Sequence, residues 1–258
     1  MNNLSKTTLI DQLTVEVYQN RNILGQEAAK AVVLKMKELL SNKNRIRMIF
    51  AAAPSQNEFL ETLTKAEGID WSRVTAFHMD EYIGLPASAS QRFGRFLKER
   101  LFDTVKPGVV HFIDSENSIE EECKRYADLL SEQPIDMVCL GIGENGHIAF
   151  NDPPVADFQD PSIIKSVELD LVCRQQQVND GCFTDLKSVP TQALTLTIPT
   201  LVAANYLFCI VPGTNKSEAL KHTLSGPITT DCPASILRQH GHCTLYADDD
   251  SFELVANG

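Results

Sequence analysis

Two stretches of this chain carry ionisable side chains directly after apolar runs. Ile135-Asp136-Met137-Val138-Cys139 leads into LGIGENGHIAFNDPP at 140–154, which holds Glu144, Asn145, His147, Asn151 and Asp152. Upstream, Val74-Thr75-Ala76-Phe77 leads into His78-Met79-Asp80-Glu81-Tyr82. An imidazole beside a carboxylate is held in one tautomer near neutral-pH titration, which suits proton transfer. An isolated histidine is most often structural. The polar loop around His147, with Asn145 and Asp152 in it, favours a functional reading. Adjacent carboxylates at a strand end are often merely solvated. Successive strand residues face opposite ways, however, so one of Asp80 and Glu81 can enter a cleft while the other supports the loop. Asp80 is the better candidate for a base.

The turn Gly141-Ile142-Gly143-Glu144-Asn145-Gly146 matches G-x-G-x-x-G. A dinucleotide fold places that turn after its first strand and opens a helix from it. Here it follows several strand–helix repeats and runs into His147, so its glycines read as permitting close backbone approach and turning His147 inward. Lys216 follows Gly213-Thr214-Asn215 at a helix start, where a cation beside free N–H groups can hold phosphate or carboxylate. The same spacing equally fits an ordinary surface lysine. Ser55, at another strand-to-helix turn, fits an anion contact or an N-cap.

Elements must bring these segments together. Apolar runs predict strands at Met48–Ala53, Val74–Phe77, Val109–Ile113, Ile135–Leu140, Ile163–Leu169, Leu194–Ile198, Tyr206–Val211 and Thr244–Tyr246. Helical spacing predicts helices over Gln26–Leu40, from Pro54 to about Lys65, and over Ser88–Phe102, Ile119–Leu130 and Asn215–Leu224. Alternating strands and helices imply a single doubly wound α/β domain over 1–258, with a mainly parallel sheet flanked by helices. Ligands of such sheets sit beyond the carboxyl ends of the strands.

The 258 residues suffice for a substantial core, and the 43% hydrophobic content is that of an ordinary globular chain. A net charge of −11 excludes nonspecific nucleic-acid binding, which needs clustered Lys and Arg. An anionic substrate would have to meet locally concentrated cations. The seven Cys include no C-x-x-C pair, so neither a disulfide framework nor zinc spacing is read. The N-terminal segment reads as no signal peptide, and no apolar stretch is long enough to cross a bilayer. The expectation is a cytoplasmic enzyme with no membrane or nucleic-acid partner.

Taken together, HMDEYIGL at 78–85, GENGHIAFNDPP at 143–154, ALTLTIPTL at 193–201 and PGTNKSEAL at 212–220 resemble the glucosamine-6-phosphate deaminase (isomerase) family. The similarity runs from about Lys30 to about Tyr246. The related 6-phosphogluconolactonases share the glycine turn and histidine but not typically the AFN continuation. The resemblance implies conversion of glucosamine 6-phosphate and water to fructose 6-phosphate and ammonia, a hydrolase-class deamination coupled to isomerisation. It implies no metal or organic cofactor, a phosphorylated amino sugar as partner, and allows a homo-oligomer. By position, Asp80 matches the base that moves a proton between C2 and C1, and His147 the histidine that assists ring opening. Asp152 stands where a Glu usually works with that histidine. Lys216 matches a phosphate-binding lysine, Ser55 falls at the phosphate turn, and Gly146 belongs to the glycine turn.

The chain also departs from the pattern. Ala52-Ala53-Pro54-Ser55-Gln56 replaces a phosphate turn that usually reads T-G-G-T-P. Asn145 replaces an Asp found in many members, and Asp152 is one methylene shorter than Glu. Arg174, in Cys173-Arg174-Gln175-Gln176-Gln177, is the available stand-in for a phosphate-binding arginine, at a different spacing. These departures keep three further readings open: the epimeric galactosamine 6-phosphate as substrate, a lactonase-like hydrolase, and a noncatalytic sugar-phosphate-binding protein.

Overall fold

A computed structural model describes residues 4–256. Its main sheet has eight strands. In chain order these are β1 (Leu4–Ile10), β2 (Leu13–Tyr18), β3 (Ile46–Phe50), β4 (Val74–His78), β6 (Val109–His111), β7 (Met137–Leu140), β10 (Tyr206–Val211) and β11 (Cys243–Asp248). The numbering leaves room for a second sheet of three strands, β5 (Asp80–Tyr82), β8 (Ile164–Glu168) and β9 (Gln192–Leu196).

Across the main sheet the order is β1-β2-β11-β10-β7-β3-β4-β6. Only the β1–β2 pair is antiparallel; all the other neighbours run parallel. β3, β4 and β7 are buried at every position, as strands covered by helices on both faces must be. From β3 the chain builds outward through β4 to β6, whereas β7 lies on the other side of β3 and leads on to β10 and β11. The β3–β7 boundary is therefore the topological switch point, where a crevice opens past the strand ends.

The helix Arg21–Asn42 starts where Asn20 Oδ1 accepts the Ile23 N–H at 3.1 Å, which satisfies one orphan donor of the first turn. It buries Leu24, Ala28, Val32 and Met36, one face at four-residue spacing, beneath β2, β3, β10 and β11. On the other face of the sheet, Ile119–Ser131 is capped by Ser118 and buries Tyr126 and Leu130. Ser217–Ser225 buries Ala219, Leu220 and Leu224 in the same apolar layer. Two hydrophobic clusters, one per face, thus sandwich the sheet.

Several expectations need correction. Ile163–Leu169 and Leu194–Ile198 do form strands, but they pair antiparallel with each other, and β9 with β5, outside the main sheet. The alternating exposure of β8 marks it as an edge strand with one open face, unlike the uniformly buried parallel strands. The N-terminal hairpin β1–β2 was not anticipated, although Leu13, Val15 and Val17 alternate inward. The helix expected over Ser88–Phe102 begins only at Phe93 and widens into a π-turn at Lys98–Phe102. The helices Leu171–Asn179 and Asp249–Ala256 add to the expected set.

Candidate active site

Four strand ends converge on one cleft. Past β3 come Ala51, Ala52, Ala53, Ser55 and Gln56; past β4, Met79 and Asp80; past β7, Gly141, Ile142, Gly143 and His147; past β10, Lys216. Ala149 and Phe150 from the same glycine-rich loop, Phe93, and Gln176 and Gln177 from the helix Leu171–Asn179 complete the wall.

Asp80 is held by its backbone. β5 pairs Asp80 with Thr195 of β9. The buried ring of His78 lies 2.9 Å from the Asp80 carbonyl oxygen through Nδ1 and accepts the Ile113 N–H through Nε2 at 2.8 Å. Those contacts require a proton on Nδ1 only. Burial pushes the His78 pKa down to about 4, so the ring stays neutral and serves as a fixed clamp. The Asp80 carboxylate lines the cleft and has no hydrogen-bond partner among the described residues. Burial first, and the neighbouring Glu81 second, raise its pKa well above the ordinary carboxylate range.

Glu81 points the other way, as strand alternation requires. It accepts N–H bonds from Tyr82, Phe93 and Gly94, each at 3.0 Å, with the Arg92 Nε at 3.7 Å. It ties β5 to the start of the helix Phe93–Leu97.

The histidine is part of a chain of contacts. His147 Nδ1 lies 2.8 Å from Asp152 Oδ1, off the line of an aligned hydrogen bond; a carboxylate only accepts, so a proton on Nδ1 suits this contact and leaves Nε2 free. Asn145 donates to the same Oδ1 at 2.9 Å and accepts the His147 N–H at 3.1 Å. Burial alone would raise the Asp152 pKa. The hydrogen bonds and charge of His147, with help from Asn145 and the Cys173 thiol, outweigh it and hold the pKa below the ordinary range.

Asp152 is fully buried behind the ring and, like Asn145, supports His147 without lining the cleft. Gly143 lets the ring fold over the loop, because a Cβ there would sit 2.2 Å from the imidazole. The Gly143 N–H closes the loop onto the His147 carbonyl at 2.9 Å. Gly146, at φ +83°, stays out of the cleft and shapes the turn from behind. Ala149, a cleft residue at φ +50°, occupies a left-handed conformation that costs a non-glycine residue about 1 kcal/mol. Hydrogen bonds from the Phe150 N–H to Thr195 and from Asn151 to Leu196 hold it there.

Lys216 ends a short 3-10 turn after β10 and is only 4% exposed, yet it has no carboxylate or hydrogen-bond partner among the described residues. Burial lowers its pKa, with Asp180 and Glu144 pulling the other way. A buried, unpartnered ammonium in a cleft suits an anion. Ser55 faces the same space, its Oγ accepting from Gln56 Nε2 at 3.3 Å.

Arg174 does not join them: its guanidinium donates to the carbonyls of Leu186 and Val189 and lies outside the lining. On a helix, residues three and four apart share a face, so Cys173, Gln176 and Gln177 turn inward together while Arg174 turns away. The same spacing also pairs Arg174 with Gln177, so periodicity alone did not mark which of them enters the cleft. Gln56 had no sequence signal either.

Ligand atoms of His147, Asp152 and Cys173 lie within 4.8 Å of one another, a donor set that metals use. Within this set His147 Nδ1 and Asp152 Oδ1 already face each other at 2.8 Å.

The sequence profile of a family described as glucosamine-6-phosphate isomerases/6-phosphogluconolactonase matches residues 19–246. The chain belongs to this family. A glucosamine-6-phosphate deaminase of Bacillus cereus is 33% identical over 233 residues, 90% of this chain and 86% of that protein, and one from Bacillus anthracis is equally similar. A solved structure of a monomeric glucosamine-6-phosphate deaminase superposes with a TM-score of 0.85 at 29% identity, covering 93% of this chain and 99% of the other. The 6-phosphogluconolactonase of Thermotoga maritima shares the fold at 21% identity and a TM-score of 0.75, over 92% of this chain and 99% of its own. Family membership accounts for the mainly parallel sheet and for a cleft at its switch point.

Proposed function

We propose that the protein is a hexosamine-6-phosphate deaminase that converts glucosamine 6-phosphate and water to fructose 6-phosphate and ammonia. The observation that carries this reading is a buried carboxylate, Asp80, that shares one cleft with the free Nε2 of His147 and the ammonium of Lys216, none of the three bonded to another side chain among the described residues. A lactonase needs water activation and an anion contact but no second, isolated carboxylate. Moving a proton between neighbouring carbons needs one.

His147, oriented by Asp152 and Asn145, takes the O1 proton through Nε2 and returns one to O5 as the sugar ring opens. Asp80 then removes the C2 proton from the aldehyde as O1 takes up a proton, giving an enolamine, and delivers the removed proton to C1. The C2 amine becomes a ketimine. Water adds at C2 and the C–N bond breaks, releasing ammonia and leaving the ketose. Net consumption of one water in C–N cleavage makes this a hydrolytic deamination coupled to isomerisation. Lys216 and Ser55 hold the phosphate, whose binding energy fixes C1 and C2 against Asp80. The whole chain, 1–258, acts as one catalytic domain. Seven free thiols suit a reducing compartment, and we assign the reaction to the cytoplasm.

The test is ammonia release by purified protein from glucosamine 6-phosphate and galactosamine 6-phosphate, with 6-phosphogluconolactone hydrolysis assayed alongside. Release from the glucosamine epimer is expected, with kcat/KM at least about 10-fold above the other epimer. Lactone hydrolysis without ammonia release would replace this reading with the lactonase.

A further inference from the structure

The cleft contains three glutamines, and the protein uses only two of them. Gln56 donates through Nε2 to the Ile210 carbonyl at 3.2 Å and to Ser55. Gln176 accepts the Glu144 N–H at 2.8 Å and donates to Asp180 at 3.3 Å, which fastens its helix to the glycine-rich loop. Gln177 lines the same wall and is only 7% exposed, but its amide has no hydrogen-bond partner among the described residues. Its amide atoms are not sealed from the cleft, so an otherwise buried side chain presents free N–H groups to the cleft's interior, where a ligand can receive them.

The cleft's charge decides which ligand atoms those are. Lys216 is the lysine of the wall, and no arginine contributes to it. A phosphate monoester near neutral pH carries close to two negative charges and three terminal oxygens with several lone pairs. One ammonium leaves about half of that charge and most of those oxygens to neutral donors. The Ser55 hydroxyl supplies one donor, and the Gln177 amide has two N–H bonds that no described residue receives. We infer that Gln177 donates through Nε2 to the substrate phosphate, as the neutral partner of Lys216. This assignment rests on the sugar-phosphate reading of the cleft but not on the deamination chemistry. It makes the phosphate subsite one cation supplemented by an amide, not a cluster of cations.

The experiment separates phosphate from sugar and binding from turnover. Binding of inorganic phosphate is measured by thermal stabilisation, and steady-state ammonia release from glucosamine 6-phosphate is followed in parallel. The proteins are the wild type, Gln177→Leu, Gln177→Glu and the exposed control Gln175→Leu. Gln177→Leu should weaken inorganic phosphate by about 10-fold, the loss of one hydrogen bond to a charged group, and raise KM by a similar factor with a much smaller change in kcat. Gln177→Glu should abolish phosphate stabilisation, and Gln175→Leu should behave as wild type. If Gln177→Leu is unstable, Gln177→Asn, which keeps the amide but shortens its reach, should show the same weakening.

A raised KM with unchanged phosphate affinity would place the amide against the sugar and overturn the proposal. So would phosphate affinity indifferent to Gln177→Glu, or no phosphate stabilisation of the wild type. A wild type that binds phosphate in a Gln177-dependent way but releases no ammonia would sink the deaminase reading and leave this one standing.

Discussion

Asp80 is where stability and the proposed activity conflict. Its folded pKa is raised by burial and by Glu81, whereas the unfolded chain titrates near the ordinary aspartate value. The folded state therefore binds the proton more tightly. Its contribution to stability is fully present below the unfolded pKa and declines as pH rises through the folded one. Asp80→Asn should accordingly raise Tm at pH 7–8, and the gain should vanish in scans at acidic pH. The same variant should lose at least about 10³-fold in kcat. Because the base must be ionised, the acid limb of the kcat/KM profile should fall at a pH above the ordinary carboxylate range. A Tm unchanged or lowered at pH 8 would contradict the burial argument, and full activity would remove Asp80 from the chemistry.

Lys216 has the opposite sign. With its pKa lowered by burial, its charge is lost earlier than that of a surface lysine as pH rises. KM for the phosphorylated substrate should climb on the alkaline side below the usual lysine range, and Lys216→Ala should raise KM by about 10- to 100-fold at neutral pH. A KM independent of pH up to the ordinary lysine value would remove Lys216 from the anion contact.

At the scale of elements, the glycine-rich loop after β7 is a rigid mount for His147. The Gly143 N–H bond to the His147 carbonyl, the Asn145 bridge and the Phe150 link to β9 fix both ends of the turn. Gly143→Ala would place a methyl 2.2 Å from the ring, against backbone held on both sides. The imidazole must move by about 1 Å, so kcat should fall by about 10²-fold while the circular-dichroism spectrum stays native. Wild-type kcat in that variant would show that the ring position is not critical. The small β5-β9-β8 sheet is the other mount, since it holds Asp80 and supplies Thr195 to the histidine loop. Two otherwise separate cleft-lining segments thus share one strand, β9.

At the scale of the molecule, the sheet buries its sulfur with its hydrocarbon. Cys139, Cys173, Cys209, Cys232 and Cys243 are buried, and Cys123 and Cys182 are partly exposed. Burial raises the pKa of each of these thiols, so few are present as reactive thiolates. A thiol-titrating reagent should therefore find no more than two groups in the native protein and seven after denaturation, with Tm the same with and without reductant. Rapid native labelling of more than two would contradict the packing.

Sequence alone determined the parallel α/β sheet, because its strands are short apolar runs separated by helical spacing, and both properties are local. It also singled out Asp80, His147, Lys216 and Ser55, which follow strand ends and so lie on one rim of any such sheet. Tertiary structure alone decided that Ile164–Glu168 and Gln192–Leu196 leave the main sheet, because pairing partners are set by long-range contacts and not by composition. It decided that Arg174 serves a backbone turn while Gln177 enters the cleft, a matter of how one helix is rotated about its axis. It also decided that Lys216 is buried with no ion-pair or hydrogen-bond partner among the described residues, since that is a property of all the surrounding segments at once.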